Sequence, residues 1–394
     1  MIIKNAVLVL KDREIKGSIR TSGNMIDRVE TDITISPKKD EVTIDANGKY
    51  LMSGFVDLHT HGAGGFDFMD GRTEDIIKAS KTHAAHGTTT CLPTSLTSTD
   101  EDLLLFLKNL KAVITAQKSG MLPACSKMPG AHLEGPYFDM VQKGAQDSRY
   151  IKNPEPSHYN AILEKAEGVI KRWSVAPELP GANELIDTVT QEGILVSAGH
   201  TDATYDDISR AYDHGLKLLT HFYSGMSTIK RKGGFRILGT VESGYLLDEL
   251  YIELICDGMH LPPELLEFIF KLKRNDRITG CTDSMRGAGQ PEGPSILGPK
   301  KNGTACIIED GIAKMPDKSC FAGSVATGDR LARTLHCTTG LSMSEVSRIL
   351  SLQPAQLIGM DSEIGSIEKG KAADFIICDD MINIEAVFID GRKL

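Results

Sequence analysis

The sequence contains no apolar run long enough to cross a bilayer, which argues against a membrane partner. It also contains no Cys-x-x-Cys pair. Cys91, Cys125, Cys256, Cys281, Cys306, Cys320, Cys337 and Cys378 are scattered, and they read as reduced core residues of a cytoplasmic protein, not as a disulfide framework. Positive charge is in deficit: 44 Lys and Arg face 53 Asp and Glu, for a formal net charge of −9. A broad nucleic-acid-binding face is therefore not expected, and an anionic small substrate would need a local basic pocket. No Gly-x-Ser-x-Gly elbow is present, so a serine nucleophile is not indicated. Met1 to Val9 lack the charged start, long apolar stretch and small-residue cleavage site of a secretory leader, and read as a strand. Low-complexity tracts and strict repeats are missing as well.

The 394 residues suffice for one large domain and a smaller one. Residues 1 to 53 read as short strands separated by turn residues such as Asp12, Gly23-Asn24 and Asn47-Gly48. From Phe55 the pattern becomes strand, loop, helix, repeated. Strands are predicted at 55–58, 87–94, 130–136, 169–175, 194–200, 218–222, 251–256 and 277–283. Helices are predicted at 73–86 (capped by Thr73), 101–119, 159–167, 182–192, 205–214 and 263–273, then at 324–339 and 344–351. After Pro354 strands return at 365–367, 373–378 and 384–391. The expected fold class is α/β: a (β/α)8 TIM-like barrel over 54–358, with a small β-sandwich domain formed from both chain ends, 1–53 and 359–394. An open doubly wound sheet is the alternative. Polar residues at the C-terminal ends of nearly every strand favour the barrel, which places its site there.

The first of those strand ends is Gly54-Phe55-Val56-Asp57-Leu58-His59-Thr60-His61-Gly62. Residues i and i+2 of a strand share a face, so His59 and His61 present two imidazoles side by side. Alone, the pair could equally be two ordinary histidines. Four further strand ends carry ligand-type side chains: Glu134, His200, His221 and Asp283. A barrel brings them to one mouth. Four imidazoles and two carboxylates suit a divalent Zn, Fe, Mn or Co ion. Any one of these residues could be a satisfied core histidine or a helix-capping carboxylate, but placement at five strand ends in order is hard to obtain by chance. His83, His86, His158, His214 and His336 fall on predicted helices or loops and are read as structural.

The order His-x-His, Glu, His, His, Asp resembles the amidohydrolase superfamily. Within it, His132-Leu133-Glu134-Gly135-Pro136, Gly144-Ala145-Gln146, Gly199-His200-Thr201, Asp257-Gly258-Met259-His260, Thr282-Asp283 and Ala322-Gly323-Ser324 look like the N-acetylglucosamine-6-phosphate deacetylases. The likeness runs from Gly54 to Asp379, and Glu-Gly-Pro is its most specific piece. It implies a barrel with a β-sandwich, usually dimeric. Glu134, His200 and His221 would hold a principal metal, and His59 and His61 a second that shares Glu134, so one or two ions per subunit are allowed. Asp283 would be the general base and then the general acid. Gln146, the backbone of Ala145, His260 and the Phe321-Ala322-Gly323 backbone would meet the sugar.

Two departures bear on the substrate. The family usually has Asn-Ala-Met where this chain has Ser224-Gly225-Met226, and its His-Arg-Glu-Pro-Gly phosphate segment is replaced by Lys230-Arg231-Lys232-Gly233-Gly234-Phe235-Arg236. This is the densest basic cluster of the chain, and Arg231 or Arg236 could grip a phosphate bidentately. A solvated basic loop is the bland alternative. Arg286 is a second unusual charge near the mouth. The expected activity is metal-dependent hydrolysis of the N-acetyl group of N-acetylglucosamine-6-phosphate or a close amino-sugar phosphate, by a cytoplasmic homodimer. An amidohydrolase for another N-acyl or cyclic amide substrate is the alternative. A non-catalytic barrel scaffold is the reading from a different class, and the six filled ligand-type positions argue against it.

Overall fold

The computed structural model describes residues 1–32 and 35–394. Eight parallel strands follow one another around a single sheet in chain order: Phe55–Thr60, Thr88–Ser95, Ala131–Glu134, Ile170–Val175, Leu195–Ala198, Leu218–Leu219, Tyr251–Ile255 and Ile278–Cys281. Both faces of such a sheet are covered, and its strands accordingly lack polar alternation: Thr-Thr-Thr-Cys-Leu-Pro-Thr-Ser is buried at every position. The sheet curls until its two ends meet. At that seam Asp283 N–H donates to His59 O at 2.9 Å, and His61 N–H to Ser284 O at 2.9 Å. A nearly closed barrel results, with amphipathic helices outside it. The helix Asp100–Lys118 shows the local logic. Thr99 caps it by accepting from Asp102 N–H, three acidic residues occupy its first turn, and Leu103, Phe106, Leu107, Leu110, Val113 and Ile114 form its buried stripe.

The two chain ends build one mixed sheet of their own. Tyr50–Ser53 lies between Ile2–Val9 and Phe375–Cys378, so neither end completes this sheet without the other. Its core includes Ile3, Leu8, Ile19, Leu51, Phe375 and Phe388, and the two phenylalanine rings lie 4.9 Å apart. Each fully buried ring contributes about 1.5–3 kcal/mol of transfer free energy.

Several helices differ from the sequence expectation. Thr73 is the first helical residue and not the cap. Arg72 takes the extended N-cap position, and its guanidinium donates to the Asp75 carboxylate at 2.8 and 2.7 Å. Residues 324–327 are not helical, because Ser324 lies alongside the Asp283 strand end: its N–H donates to Asp283 O at 3.0 Å, and Met285 N–H donates back to Ser324 O at 2.9 Å. The helix from Met343 widens to a π turn over Arg348–Leu352.

Three small sheets were not foreseen, one of them the pairing of Gly62–Ala63 with Phe66–Asp67. After the last barrel strand, Gly293–Leu297, Thr304–Glu309 and Ile312–Lys314 form an antiparallel sheet with its own apolar cluster, which includes Met285, Leu297, Ile308 and Ala322. Lys230–Lys232 and Phe235–Ile237 form an exposed hairpin.

Candidate metal centre and active site

All six strand-end residues converge at the C-terminal mouth of the barrel. The strand period places the rings of His59 and His61 5.1 Å apart, with their Nε2 atoms 3.2 Å from each other. Gly62 allows the turn behind them, since a Cβ there would lie 2.2 Å from Phe66 O. The Glu134 carboxylate is the hub. Its Oε1 is 3.4 Å from His59 Nε2, 3.3 Å from His200 Nε2 and 3.1 Å from His221 Nε2, and its Oε2 is 3.4 Å from His61 Nε2. Asp283 Oδ1 closes the group at 3.3 Å from His59 Nε2 and 3.1 Å from His61 Nε2.

His200, His221 and Asp283 all have left-handed backbone, with φ of 47°, 34° and 44°. This conformation is uncommon for non-glycine residues and costs about 1–3 kcal/mol each, so the surrounding structure must impose it. Nothing in the residue types signals it.

The carboxylates and imidazoles of the centre are tightly coupled. Burial alone would push His59 and His61 down, but Asp283 and Glu134 overcome it and hold them up at about 9 and about 10. Burial would raise Glu134 and Asp283. The facing imidazoles reverse that and hold both carboxyls below the usual range. His221 is pushed down by burial against the pull of Glu134. Ionised carboxylates and imidazole lone pairs aimed at a common centre are the donor set of a divalent transition-metal site. Two such groupings share Glu134: His59 and His61 on one side, His200 and His221 on the other. On the second side His200 Nδ1–H donates to Gln142 O at 2.9 Å, which leaves its Nε2 lone pair facing Glu134.

Side chains behind the centre went unread in the sequence. Arg172 and Glu253, both wholly buried, pair inside the barrel. Arg172 also donates to Leu58 O, Ser197 Oγ and Thr220 Oγ1, while Glu253 Oε2 accepts from His221 N–H at 3.3 Å and lies 3.5 Å from His59 Nδ1. Asp57 accepts from Thr282 N–H, Thr282 Oγ1–H and His59 N–H, tying the Asp283 strand end to the first strand. Burial raises the Asp57 carboxyl to about 6 against those donors. A charged residue inside an apolar strand was the available signal for Glu253, but its partner lies 81 positions away.

The cavity over the centre measures about 250 Å³. His61, Glu134, His200, His221 and Asp283 are at its polar end, while Leu96, Leu297 and Phe321 supply an apolar wall. Ala145, Gln146, Ser224, Gly225, His260 and Gly323 also line it. His260 is held by Asp257, whose Oδ2 accepts from Nδ1 at 2.8 Å, so its Nε2 is the free ring nitrogen. Ala322 is buried and does not line the cavity, and its N–H is engaged with Ala313 O at 2.8 Å. Arg231 and Arg236 lie outside the lining as well, paired across the exposed hairpin. Arg286 is buried and satisfied, donating to both Asp70 oxygens at 3.0 and 2.9 Å and to Ile296 O at 2.9 Å, so it braces the wall.

With this geometry in hand, comparison with known proteins is informative. The sequence model of the Amidohydrolase family matches residues 50–394. An N-acetylglucosamine-6-phosphate deacetylase of Bacillus subtilis is 29% identical over 381 residues, covering 96% of this chain and 92% of that one. An N-acetylgalactosamine-6-phosphate deacetylase of Escherichia coli O157:H7 is 28% identical over 348 residues, 88% of each chain. The crystal structure of N-acetylglucosamine-6-phosphate deacetylase from Pasteurella multocida superimposes with a TM-score of 0.90 at 26% identity, over 100% of this chain and 99% of that one.

Proposed function

The chain belongs to the amidohydrolase family, and on that premise we propose that it hydrolyses the N-acetyl group of N-acetylglucosamine-6-phosphate, releasing acetate and glucosamine-6-phosphate. The observation that carries this reading is the convergence of four imidazoles on Glu134, with the Asp283 carboxylate set against His59 and His61, at the floor of a sugar-sized cavity. His200 and His221 with Glu134 would hold one divalent Zn, Fe, Mn or Co ion, and His59 and His61 a second. Such an ion acidifies water from a pKa of ~15.7 toward ~7 and polarises an amide carbonyl.

The remaining work falls to this chain's own side chains. Asp283, held ionised by the facing histidines, takes a proton from the attacking water. It then gives that proton to the amide nitrogen as the C–N bond breaks, so the amine leaves neutral. His260, oriented by Asp257, offers Nε2 to the sugar or the acyl oxygen from the side wall. Lys143 Nζ lies 3.3 Å from the carbonyl of the lining residue Gly144, which puts a cation at the rim for a phosphate. Arg231 and Arg236 can serve the phosphate only if the hairpin reaches a mouth, its own or a partner's. Eight unpaired thiols support a reducing cytoplasm, and the family likeness supports a homodimer.

The deciding experiment measures acetate release from N-acetylglucosamine-6-phosphate, N-acetylgalactosamine-6-phosphate and the two unphosphorylated sugars, using metal-loaded enzyme. Preference for the first supports the proposal. The relative from Escherichia coli O157:H7 makes the galactosamine epimer the second reading, and that result would replace the first. No acetate from any of the four would overturn both.

A further inference from the structure

Gln146 lines the cavity, and the family likeness assigns it to the sugar, yet its side chain is engaged on both ends. It is 5% exposed. Its Oε1 accepts from Thr97 N–H at 2.9 Å and from Thr97 Oγ1–H at 2.8 Å. A backbone N–H can only donate, so the carbonyl end of the amide must face Thr97. The Nε2 end then faces Glu134 and donates to Oε2 at 2.6 Å. Asp147 N–H also donates to Thr97 Oγ1 at 3.2 Å, so the loop is clamped beside the amide. The same loop supplies Gln142 O, the acceptor for His200 Nδ1–H.

The two oxygens of Glu134 therefore have unequal surroundings. Oε1 faces the Nε2 atoms of His59, His200 and His221. Oε2 faces His61 at 3.4 Å and takes the amide hydrogen bond. A carboxylate turning about its last bond would exchange these roles. We propose that Gln146 is a positioning residue: anchored on Thr97, its amide fixes the rotation of the Glu134 carboxylate, presenting Oε1 to the His200 and His221 side, and thereby sets how tightly the centre holds its metal. The inference rests on the metal-dependent reading above. It is measured by metal retention without substrate, so it fails separately from the choice of sugar.

The test titrates Zn²⁺ into metal-stripped wild type, Gln146→Met and Thr97→Val, follows loss of Zn²⁺ to a chelator, and then measures KM and kcat at saturating metal. Loss of a partner behind a ligand typically weakens metal binding ~10–100-fold. Gln146→Met is expected to show that loss, with KM for the acetylated sugar phosphate within about twofold of wild type. Thr97→Val keeps the backbone N–H and loses the hydroxyl, and Thr97 does not line the cavity. It should shift metal retention the same way by a smaller factor, and it decides the matter if Gln146→Met does not fold. Unchanged metal affinity with a tenfold rise in KM would make Gln146 a sugar contact and overturn the proposal. Unchanged metal affinity in both variants would overturn it too.

Discussion

Arg172 and Glu253 face each other inside the barrel, with Arg172 Nη2 2.8 Å from Glu253 Oε2 and neither side chain exposed. Breaking such a buried pair from one side leaves an unpaired charge and costs about 3–5 kcal/mol. Arg172→Met should therefore lower unfolding stability by that order, and Arg172→Met with Glu253→Met should recover much of it. Urea unfolding of the three proteins checks this, and a double variant no better than the single one would contradict it.

The same pair sets an acid limit. Burial would raise the Glu253 carboxyl, but Arg172 and then His59 hold it far below its ordinary value. A depressed carboxyl contributes stability that is fully present above its unfolded pKa of about 4.3 and is lost as pH falls toward the folded value. Wild type should lose stability steeply below about pH 4, and the paired methionine variant should lose less over the same range. Parallel acid limbs in the two proteins would rule Glu253 out as the source.

Metal uptake should release protons. In the metal-free protein His59 and His61 titrate at about 9 and about 10, so both carry protons at neutral pH. An ion bound at that pair must displace them. Calorimetric titration of Zn²⁺ in buffers of different ionisation enthalpy should report proton release. The apparent affinity should rise with pH until about 9–10. Zinc binding with no proton release would place the ion on His200 and His221 alone.

Asp283→Asn keeps the shape of the side chain and removes its basicity. Metal content should be retained, and kcat should fall by at least ~10²–10⁴-fold, the usual contribution of a general acid–base. Activity within a few-fold of wild type would take the proton-transfer role away from Asp283.

Gly225 has a φ of +57°, and a Cβ there would lie 2.9 Å from His200 Nδ1 and 3.0 Å from Gln142 O. Gly225→Ala would wedge apart the hydrogen bond that orients His200. It should cost about 1–2 kcal/mol from the left-handed backbone alone. It should also weaken zinc binding ~10-fold or more. Thermal melting and zinc titration read the two effects separately.

The eight barrel strands, most helices between them and the C-terminal strands Phe375–Cys378 and Ile384–Ile389 were legible because each depends on local periodicity, whereas the helix Thr240–Leu246 went unread and the strand expected at 365–367 is bend and coil. A buried parallel strand is written as a short apolar or β-branched run, and His59-x-His61 shares a face by strand geometry alone. The small sheet over 293–314 left no such mark, since its short strands carry or adjoin Gly293, Pro294, Gly298 and Pro299 and share their apolar cluster with Met285 and Ala322. The basic run at 230–236 was legible as charge but not as an exposed hairpin outside the cavity lining.

By itself, the order of residues along the chain determined which side chains stand at strand ends, and so which chemistry the mouth of the barrel can hold. Tertiary structure alone decided how those side chains are aimed. The Arg172–Glu253 pair, the Gln146 amide between Thr97 and Glu134, and the left-handed backbone at His200, His221 and Asp283 all arise between segments distant in sequence. A contact made by closing the sheet has no periodicity to announce it, and its energy exists only once both strands are in place.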